Sequence, residues 1–267
     1  MRPICIDWLS APELDAPGLV RAAADNRVDR VSLIVNPMYP FADRDLAGDT
    51  AARRETRRLC RDLGVQVDCM EVLRLHSDTD PRSFRPAFDS GAWLDARTAV
   101  VLAFDSDEAR LADLLAMTCD VAAEYGIAVV TELNRRFALK SLEDATRLIA
   151  RNGRTDLGVQ IDSMHFYRYG SRCEDIAPHR DLIARAQICD GPLAGPATDE
   201  EQMIEGRTNR LLPGDGELPL AEWLAEIPQG IVVALEAPML RLEVHERLRR
   251  GVAQLRALVE RVDGTRA

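Results

Sequence analysis

Polar side chains close four apolar segments in the second half of the chain. Glu132 ends AVVTE, Asp162 ends LGVQID, Gln187 lies within RAQICD, and Glu236 ends IVVALE. A carboxylate at the end of an apolar segment is costly to bury unless it is paired or binds a metal ion. Three carboxylates that point at one another repel strongly, and a divalent cation removes that repulsion.

These four side chains offer oxygen ligands only, which suits Mg²⁺ or Mn²⁺ with water or substrate in the remaining positions. Co²⁺ or Zn²⁺ could take the same place, although zinc prefers nitrogen and sulfur. Each residue taken alone is explained as well by a salt bridge or a helix cap. Because there are four on consecutive segments, we expect one divalent ion, bound by Glu132, Asp162, Gln187 and Glu236.

His165 follows Asp162 by three residues and is the first candidate for acid/base catalysis, because histidine exchanges protons near neutral pH. The alternative is a structural role, in which it orients Asp162 or packs under a loop. Glu132 and Glu236 are candidates for the catalytic base, and for each the alternative is a ligand role alone.

Arginine side chains are the candidates for binding an anionic substrate, since a guanidinium grips carboxylate or phosphate at two points. Arg74, Arg168 and Arg207 lie near predicted strand ends or in the long loop. For each, an ion pair within the protein is an equally good explanation, because 33 of the 34 basic residues are arginine. Asn36 and Tyr39 follow the second predicted strand and are expected at the rim of the same pocket.

Short apolar segments alternate with segments of helical period, which indicates βαβ units and a parallel sheet. Strands are predicted at Ile4–Trp8, Arg30–Val35, Val65–Leu73, Ala99–Phe104, Ala128–Glu132, Gly158–Asp162, Ala186–Asp190 and Ile231–Glu236. Helices are predicted at Ala16–Asn26, Thr50–Leu63, Phe84–Gly91, Glu108–Tyr125, Leu142–Asn152, Cys173–Ala184, Pro219–Ile227 and Leu242–Val262. Eight such units predict an α/β fold of the (β/α)₈ TIM-barrel type, in which strand ends converge on one opening. A doubly wound open sheet is disfavoured because no glycine-rich turn follows the first strand.

The chain is expected to form one domain over residues 1–267, since no repeat and no linker divides it. The longest segment without predicted structure is Gly191–Leu218, which follows the seventh strand on the face where barrel active sites form. A loop of this length is either functional or mobile.

The segments TEL, IDSMHFYRYG, QICDGP, EGRTNRLLPGDGELPL and LEAP resemble the sugar-phosphate isomerase/epimerase superfamily of xylose isomerase-like TIM barrels. The resemblance implies one metal ion bound by a Glu, an Asp, a His or Gln, and a Glu. Those roles fall on Glu132, Asp162, Gln187 and Glu236. Gln187 in place of His is similar to the arrangement in hydroxypyruvate isomerases and in 3-dehydroshikimate dehydratases of this fold.

The leading hypothesis is a metal-dependent isomerase or epimerase that acts through an enediolate on a small hydroxy-carbonyl compound. The first alternative is a lyase, in which the same enolate expels a leaving group, as in dehydration. An endonuclease of the superfamily is disfavoured, because the chain has four histidines and a net charge of −10. A metal-binding barrel that needs a partner for activity is a further alternative.

Composition sets the expected surroundings of the protein. Hydrophobic residues make up 46% and charged residues 29%, which is typical of a globular protein. The acidic balance argues against nucleic-acid or membrane partners. The first residues lack the charged-then-apolar pattern of a secretory leader, so a cytoplasmic location is expected. A homo-oligomer is compatible with the sequence.

Overall fold

A computed structural model describes residues 1–35 and 46–265. Eight parallel strands close into a barrel in the order β1 to β8, each paired with its neighbours in sequence and β8 with β1. The strands are β1 Ile4–Ile6, β2 Arg30–Ile34, β3 Gln66–Leu75, β4 Thr98–Ala103, β5 Ala128–Glu132, β6 Leu157–Asp162, β7 Ile183–Ile188 and β8 Val232–Leu235. The prediction of a (β/α)₈ barrel is confirmed.

Helices cover the outside of the barrel between the strands. They are α1 Ala16–Asp25, α2 Ala51–Leu63, α3 Arg85–Trp93, α4 Glu108–Ala123, α5 Leu142–Asn152, α6 Ser163–Tyr169, α7 Asp199–Thr208, α8 Leu220–Glu226 and α9 Val244–Gly264. Local sequence explains their ends: in α5, Ser141 and Asp144 form a capping box, and Gly153 ends the helix in the left-handed conformation. Among the described residues, no helix is long and apolar enough to span a membrane.

The interior of the barrel has two chemically different sides. Strands β3 to β5 contribute an apolar cluster that comprises Cys69, Val72, Val100, Leu102 and Val130. The opposite side, from β6 through β8 to β1, is lined by buried polar groups, among them Gln160, Arg185, Gln187 and Asp7. Because outward-facing residues of each strand pack under the helices, the alternation along a strand decides which side chains enter the barrel.

Three predicted segments differ from the structure. The segment predicted as the helix Cys173–Ala184 forms two short 3₁₀ helices, Cys173–Asp175 and Ala177–Leu182, since Pro178 disfavours a continuous α-helix. Strand β7 consequently starts at Ile183 and ends at Ile188. Trp8 lies in a 3₁₀ helix after β1 and not in the strand.

The third difference is that the segment Gly191–Leu218, predicted to be a long loop, contains helix α7. This helix is polar on every side, so no apolar stripe announces it. Its signal is the capping box of Thr198 and Glu201.

Candidate active site

The carboxyl ends of β5 to β8 bring together the four predicted metal ligands. Glu132 is the last residue of β5 and Asp162 the last of β6. Gln187 pairs in register with Asp162, and Glu236 follows β8 directly, where its amide donates to the Ile188 carbonyl at 3.0 Å. Gln187 Nε2 donates to Glu236 Oε1 at 2.9 Å. The barrel therefore brings residues up to 104 positions apart in the numbering to one end of the fold, and their role as metal ligands stays a prediction.

An arginine that the sequence analysis missed lies between two of these carboxylates. Arg210 Nη1 donates to Asp162 Oδ2 at 2.8 Å and to Glu236 Oε2 at 2.5 Å. Its side chain is buried, whereas Arg207, the candidate from the same segment, is exposed on the cavity wall. Arg210 comes directly before an isolated bridge of Leu211 with Asp190, which holds its backbone against the barrel.

A chain of hydrogen bonds below this level sets the direction of the Gln187 amide. Arg185 Nη1 donates to Gln160 Oε1 at 2.5 Å, and Gln160 Nε2 donates to Gln187 Oε1 at 2.9 Å. Gln187 Nε2 in turn donates to Asp7 Oδ2 at 2.7 Å. Arg185 has donors only, so it orients both amides in sequence. The sequence did contain a signal for Arg185. It lies two residues before Gln187 in RAQI, and residues two apart in a strand point to the same side of the sheet.

The donor set fits a hard divalent cation in chemistry and in charge. Among the described residues, the buried or nearly buried carboxylates of the interior are Asp7, Asp68, Glu71, Glu132, Asp162 and Glu236. The guanidiniums that face them are those of Arg185 and Arg210, which are buried, and of Arg30, which is partly exposed and pairs with Asp68. Buried charge in excess of its counter-charge is unfavourable, and a divalent ion would reduce the excess. In the arrangement described, no three His, Cys, Asp or Glu side chains among residues 1–35 and 46–265 converge on one point. Arg210 holds Asp162 and Glu236, and Gln187 turns its nitrogen toward Glu236.

Electrostatics distinguishes the three carboxylates. Burial, with the neighbouring charges of Asp162 and Glu71, raises the pKa of Glu132 to about 8. Burial also holds the pKa of Glu236 well above its usual range despite Arg210. Burial acts upward on Asp162 as well, but Arg210 and His165 outweigh it, so the pKa of Asp162 is lowered.

His165 lies in α6 and faces Glu132. Asp162 caps this helix by accepting the His165 backbone amide at 2.8 Å, so the position of the imidazole depends on the strand-end carboxylate. His165 Nε2 lies 3.7 Å from Glu132 Oε1 and 3.4 Å from Arg210 Nη2. Burial lowers the pKa of His165 to about 4, against the opposing effect of Asp162. The imidazole is therefore neutral at pH 7.

A cavity of about 540 Å³ opens above these side chains. Its walls include six arginines: Arg74, Arg135, Arg136, Arg168, Arg207 and Arg210. Two of the six are paired with acids of α7. Arg168 binds both oxygens of Glu205 at 2.7 and 2.9 Å, and Arg135 binds Asp199 at 2.6 Å. Arg168 thus joins α6 to α7, and its predicted role toward substrate stays a prediction.

Arg74 is the predicted substrate-binding residue whose guanidinium has a hydrogen-bond donor without a partner among the described residues. Its Nε is buried and makes no hydrogen bond within the described residues. The guanidinium carbon lies 5.9 Å from the centre of the Phe104 ring, on which His76 stacks at 4.7 Å. Phe137 meets Phe104 edge-on at 4.8 Å. This wall offers a cation beside an aromatic surface. Asn36 and Tyr39 lie outside the described residues.

Asp190 and Glu71 are acidic side chains near the site that form hydrogen bonds with other parts of the protein. The Asp190 carboxylate accepts the backbone amides of Gly191 and Gly214 at 2.8 Å each, and of Leu218 at 3.1 Å. It ties down the PGDG turn, where a Cβ on Gly216 would come within 2.4 Å of Asp190 Oδ1. Glu71, on β3, lines the cavity; its Oε2 accepts Trp8 Nε1 at 2.9 Å, and burial raises its pKa to about 7.

Comparison with known proteins identifies the family of this fold. The model of the family described as "Xylose isomerase-like TIM barrel" matches residues 12–258. The chain therefore belongs to the xylose isomerase-like TIM-barrel family. The sequence matches none of the curated proteins with which it was compared.

Solved structures share the fold at low sequence identity. A xylose isomerase-like TIM barrel/4-hydroxyphenylpyruvate dioxygenase fusion protein is 22% identical with a TM-score of 0.80; the match covers 98% of this chain and 43% of the fusion protein. The IOLI protein, solved with a zinc atom, is 17% identical with a TM-score of 0.81, and 98% and 99% of the two chains are covered. The probable 3-DHS dehydratase AsbF from Bacillus anthracis is 13% identical with a TM-score of 0.76, with 96% and 99% covered. At these identities the likeness establishes the fold, which isomerases, epimerases and dehydratases of the family share.

Proposed function

We propose that the protein is a divalent-metal-dependent enzyme that removes a proton next to a carbonyl group and so isomerises or epimerises a small, anionic hydroxy-carbonyl compound. The observation that carries the proposal is the pair Glu132 and His165 at the floor of the cavity. Their surroundings move their pKa values in opposite directions, to about 8 and about 4. Such divergence is typical of acid/base pairs.

Glu132 is the better candidate for the base. Both oxygens of Glu236 already accept hydrogen bonds, from Gln187 and Arg210. Glu132 lines the cavity, with its Oε1 near His165. The hydrogen bond that its other oxygen accepts from Gln160 Nε2 is weaker, since it is 3.5 Å long. With a pKa of about 8, Glu132 holds its proton at pH 7 while no metal is bound, and the positive charge of a bound divalent ion would lower that pKa and leave a carboxylate that can abstract a proton.

The neutral imidazole of His165 complements this role. A proton taken by Glu132 gives isomerisation when it returns to the neighbouring carbon, and epimerisation when a second acid protonates the opposite face of the first carbon. The unprotonated imidazole of His165 can accept a proton from a substrate hydroxyl group. Glu132, Asp162 and Glu236 would hold the divalent ion, joined by Gln187 if its amide turns. When bound, the ion supplies positive charge to the oxygens of the reacting carbonyl group.

The arginine-rich wall supports an anionic substrate. Arg74 lines the cavity beside Phe104, so a carboxylate or phosphate can bind the outer nitrogens of its guanidinium while the carbon skeleton lies on the ring. Three of the six arginines pair with acids of the protein, whereas Arg74 and Arg136 make no ion pair among the described residues and can offer positive charge to a substrate.

Dehydration is the second candidate reaction. The arginine-rich wall would accept a hydroxylated cyclic keto acid, and the fold is shared with the probable 3-DHS dehydratase named above. Loss of the substrate β-hydroxyl from the same enolate needs an acid near the leaving group. Glu71, whose pKa is raised to about 7, lines the cavity and can fill that role.

The test is proton exchange in D₂O. The purified protein is loaded with Mg²⁺ and incubated with keto-sugars, hydroxypyruvate and 3-dehydroshikimate, and ¹H NMR follows the carbon next to the carbonyl. Deuterium uptake with rearrangement supports isomerisation, and an alkene product supports dehydration. Glu132→Gln should abolish the exchange, whereas the exposed Glu260→Gln on α9 should leave it intact. Exchange that survives Glu132→Gln would refute the assigned base, and no exchange with any compound would favour a barrel that requires a partner chain.

A further inference from the structure

Arg210 occupies the place between two acids that a metal ion would need. One nitrogen, Nη1, serves both Asp162 Oδ2 and Glu236 Oε2, at 2.8 and 2.5 Å. The second oxygens of these acids accept the His165 backbone amide and Gln187 Nε2. Arg210 is 3% exposed, so solvent does not screen this pairing.

The remainder of the guanidinium is held differently. Nε donates to the Gly206 carbonyl at 2.8 Å, which fixes the side chain at the base of its planar head. Nη2 faces the cavity and lies 3.4 Å from His165 Nε2. Because the guanidinium is planar, a turn of the head that withdraws Nη1 from the two carboxylates also turns Nε away from the Gly206 carbonyl.

We propose that Arg210 is the resident counter-cation of the metal-free site, and that a divalent ion competes with it for Asp162 and Glu236. This inference rests on the metal dependence in the proposed function. In the absence of metal, the Arg210 guanidinium supplies the positive charge that contacts both acids, and its removal would leave buried charge without a partner. Metal binding then frees Arg210 at the cavity wall, where its donors meet an anionic group of the substrate.

The proposal makes metal affinity depend on Arg210 in an unusual direction. Removal of a residue in contact with a metal site commonly weakens binding. Here Arg210→Met removes a competitor, so Mn²⁺ should bind at least about tenfold tighter, which equals about 1.4 kcal/mol. The metal-free variant should also melt at a lower temperature than the wild type, and saturating Mn²⁺ should raise its melting temperature more.

The experiment titrates Mn²⁺ into each protein and follows the free ion by electron paramagnetic resonance. Arg168→Met is the matched control, because Arg168 lines the same cavity with a buried guanidinium that pairs with Glu205 and touches neither Asp162 nor Glu236. Its Mn²⁺ affinity should stay within about twofold of the wild type. Arg210→Gln, which keeps polar atoms and loses the charge, repeats the test if the methionine variant does not fold, with tighter binding again expected.

The outcomes separate this inference from the proposed function. Equal or weaker Mn²⁺ binding by the Arg210 variants, with normal binding by the wild type, overturns the inference and leaves metal dependence in place. If neither the wild type nor any variant binds Mn²⁺, the metal dependence itself is wrong and the inference falls with it.

Discussion

The pKa of Glu132 predicts that the metal-free protein loses stability as the pH rises. Folding raises the pKa of Glu132 from 4.5 to about 8, so between these values the native state holds a proton that the unfolded chain releases. The free energy of unfolding therefore falls across pH 4.5 to 8. This is the reverse of the behaviour of a salt-bridged carboxylate, whose pKa is lowered.

Glu132→Gln removes this titration. The difference in the free energy of unfolding between the variant and the wild type should therefore change sign as the pH rises. The full rise corresponds to about 5 kcal/mol at about 1.4 kcal/mol for each pKa unit. We expect about half, about 2 kcal/mol, because the amide of glutamine also pays for burial. The cost of burying the amide does not depend on pH, so the variant should be about 2 kcal/mol less stable than the wild type near pH 4.5 and about 2 kcal/mol more stable at pH 8, although it is expected to be inactive.

Urea unfolding in EDTA at pH 5, 6.5 and 8 measures this difference. Glu260→Gln, on the exposed face of α9, controls for the loss of one negative charge and should follow the wild type at every pH. Parallel pH dependences for Glu132→Gln and the wild type, or a variant less stable at pH 8, would refute the electrostatic reasoning.

Three other substitutions test separate parts of the site. Arg185→Met should cost about 3–5 kcal/mol in urea unfolding, because it leaves Asp7 buried without its cation, whereas the exposed Arg249→Met should cost under about 1 kcal/mol; equal costs would show that the buried network is dispensable. His165→Gln should lower kcat about 10²- to 10⁴-fold in steady-state assays with unchanged Mn²⁺ affinity, and an unaltered kcat would exclude it from proton transfer. Arg74→Met should raise KM for anionic substrates about 10- to 100-fold with a smaller change in kcat, and equal effects on a neutral analogue would contradict anion binding.

The sequence predicted the barrel and the strand-end acids because both follow from local patterns. Apolar segments of strand length recur, and a carboxylate at the end of such a segment is conspicuous. Helix α7 was missed since its ten residues have no apolar stripe, and the segment Cys173–Ala184 was assigned as one helix although Pro178 interrupts it.

The residues missed in the site are those defined by distant partners. Arg210 was one of 33 arginines and became distinctive only when α7 and the Asp190 bridge placed it between Asp162 and Glu236. Arg185 and Gln160 lie two residues before the predicted ligands Gln187 and Asp162. Their side chains point into the barrel, where they form hydrogen bonds with partners distant in the sequence. Such partners are set by strand register across the barrel, which no local spacing encodes.

Asp162 carries two tasks on one carboxylate, and mutational tolerance should separate them. Its Oδ1 caps α6 and its Oδ2 faces Arg210. In a saturation screen that scores abundance and turnover separately, Asn, Ser and Thr should preserve abundance, because each can cap a helix. Turnover should tolerate Asp alone. A position of this kind limits how far the sequence can drift neutrally, since its few abundance-compatible substitutions all lose the charge.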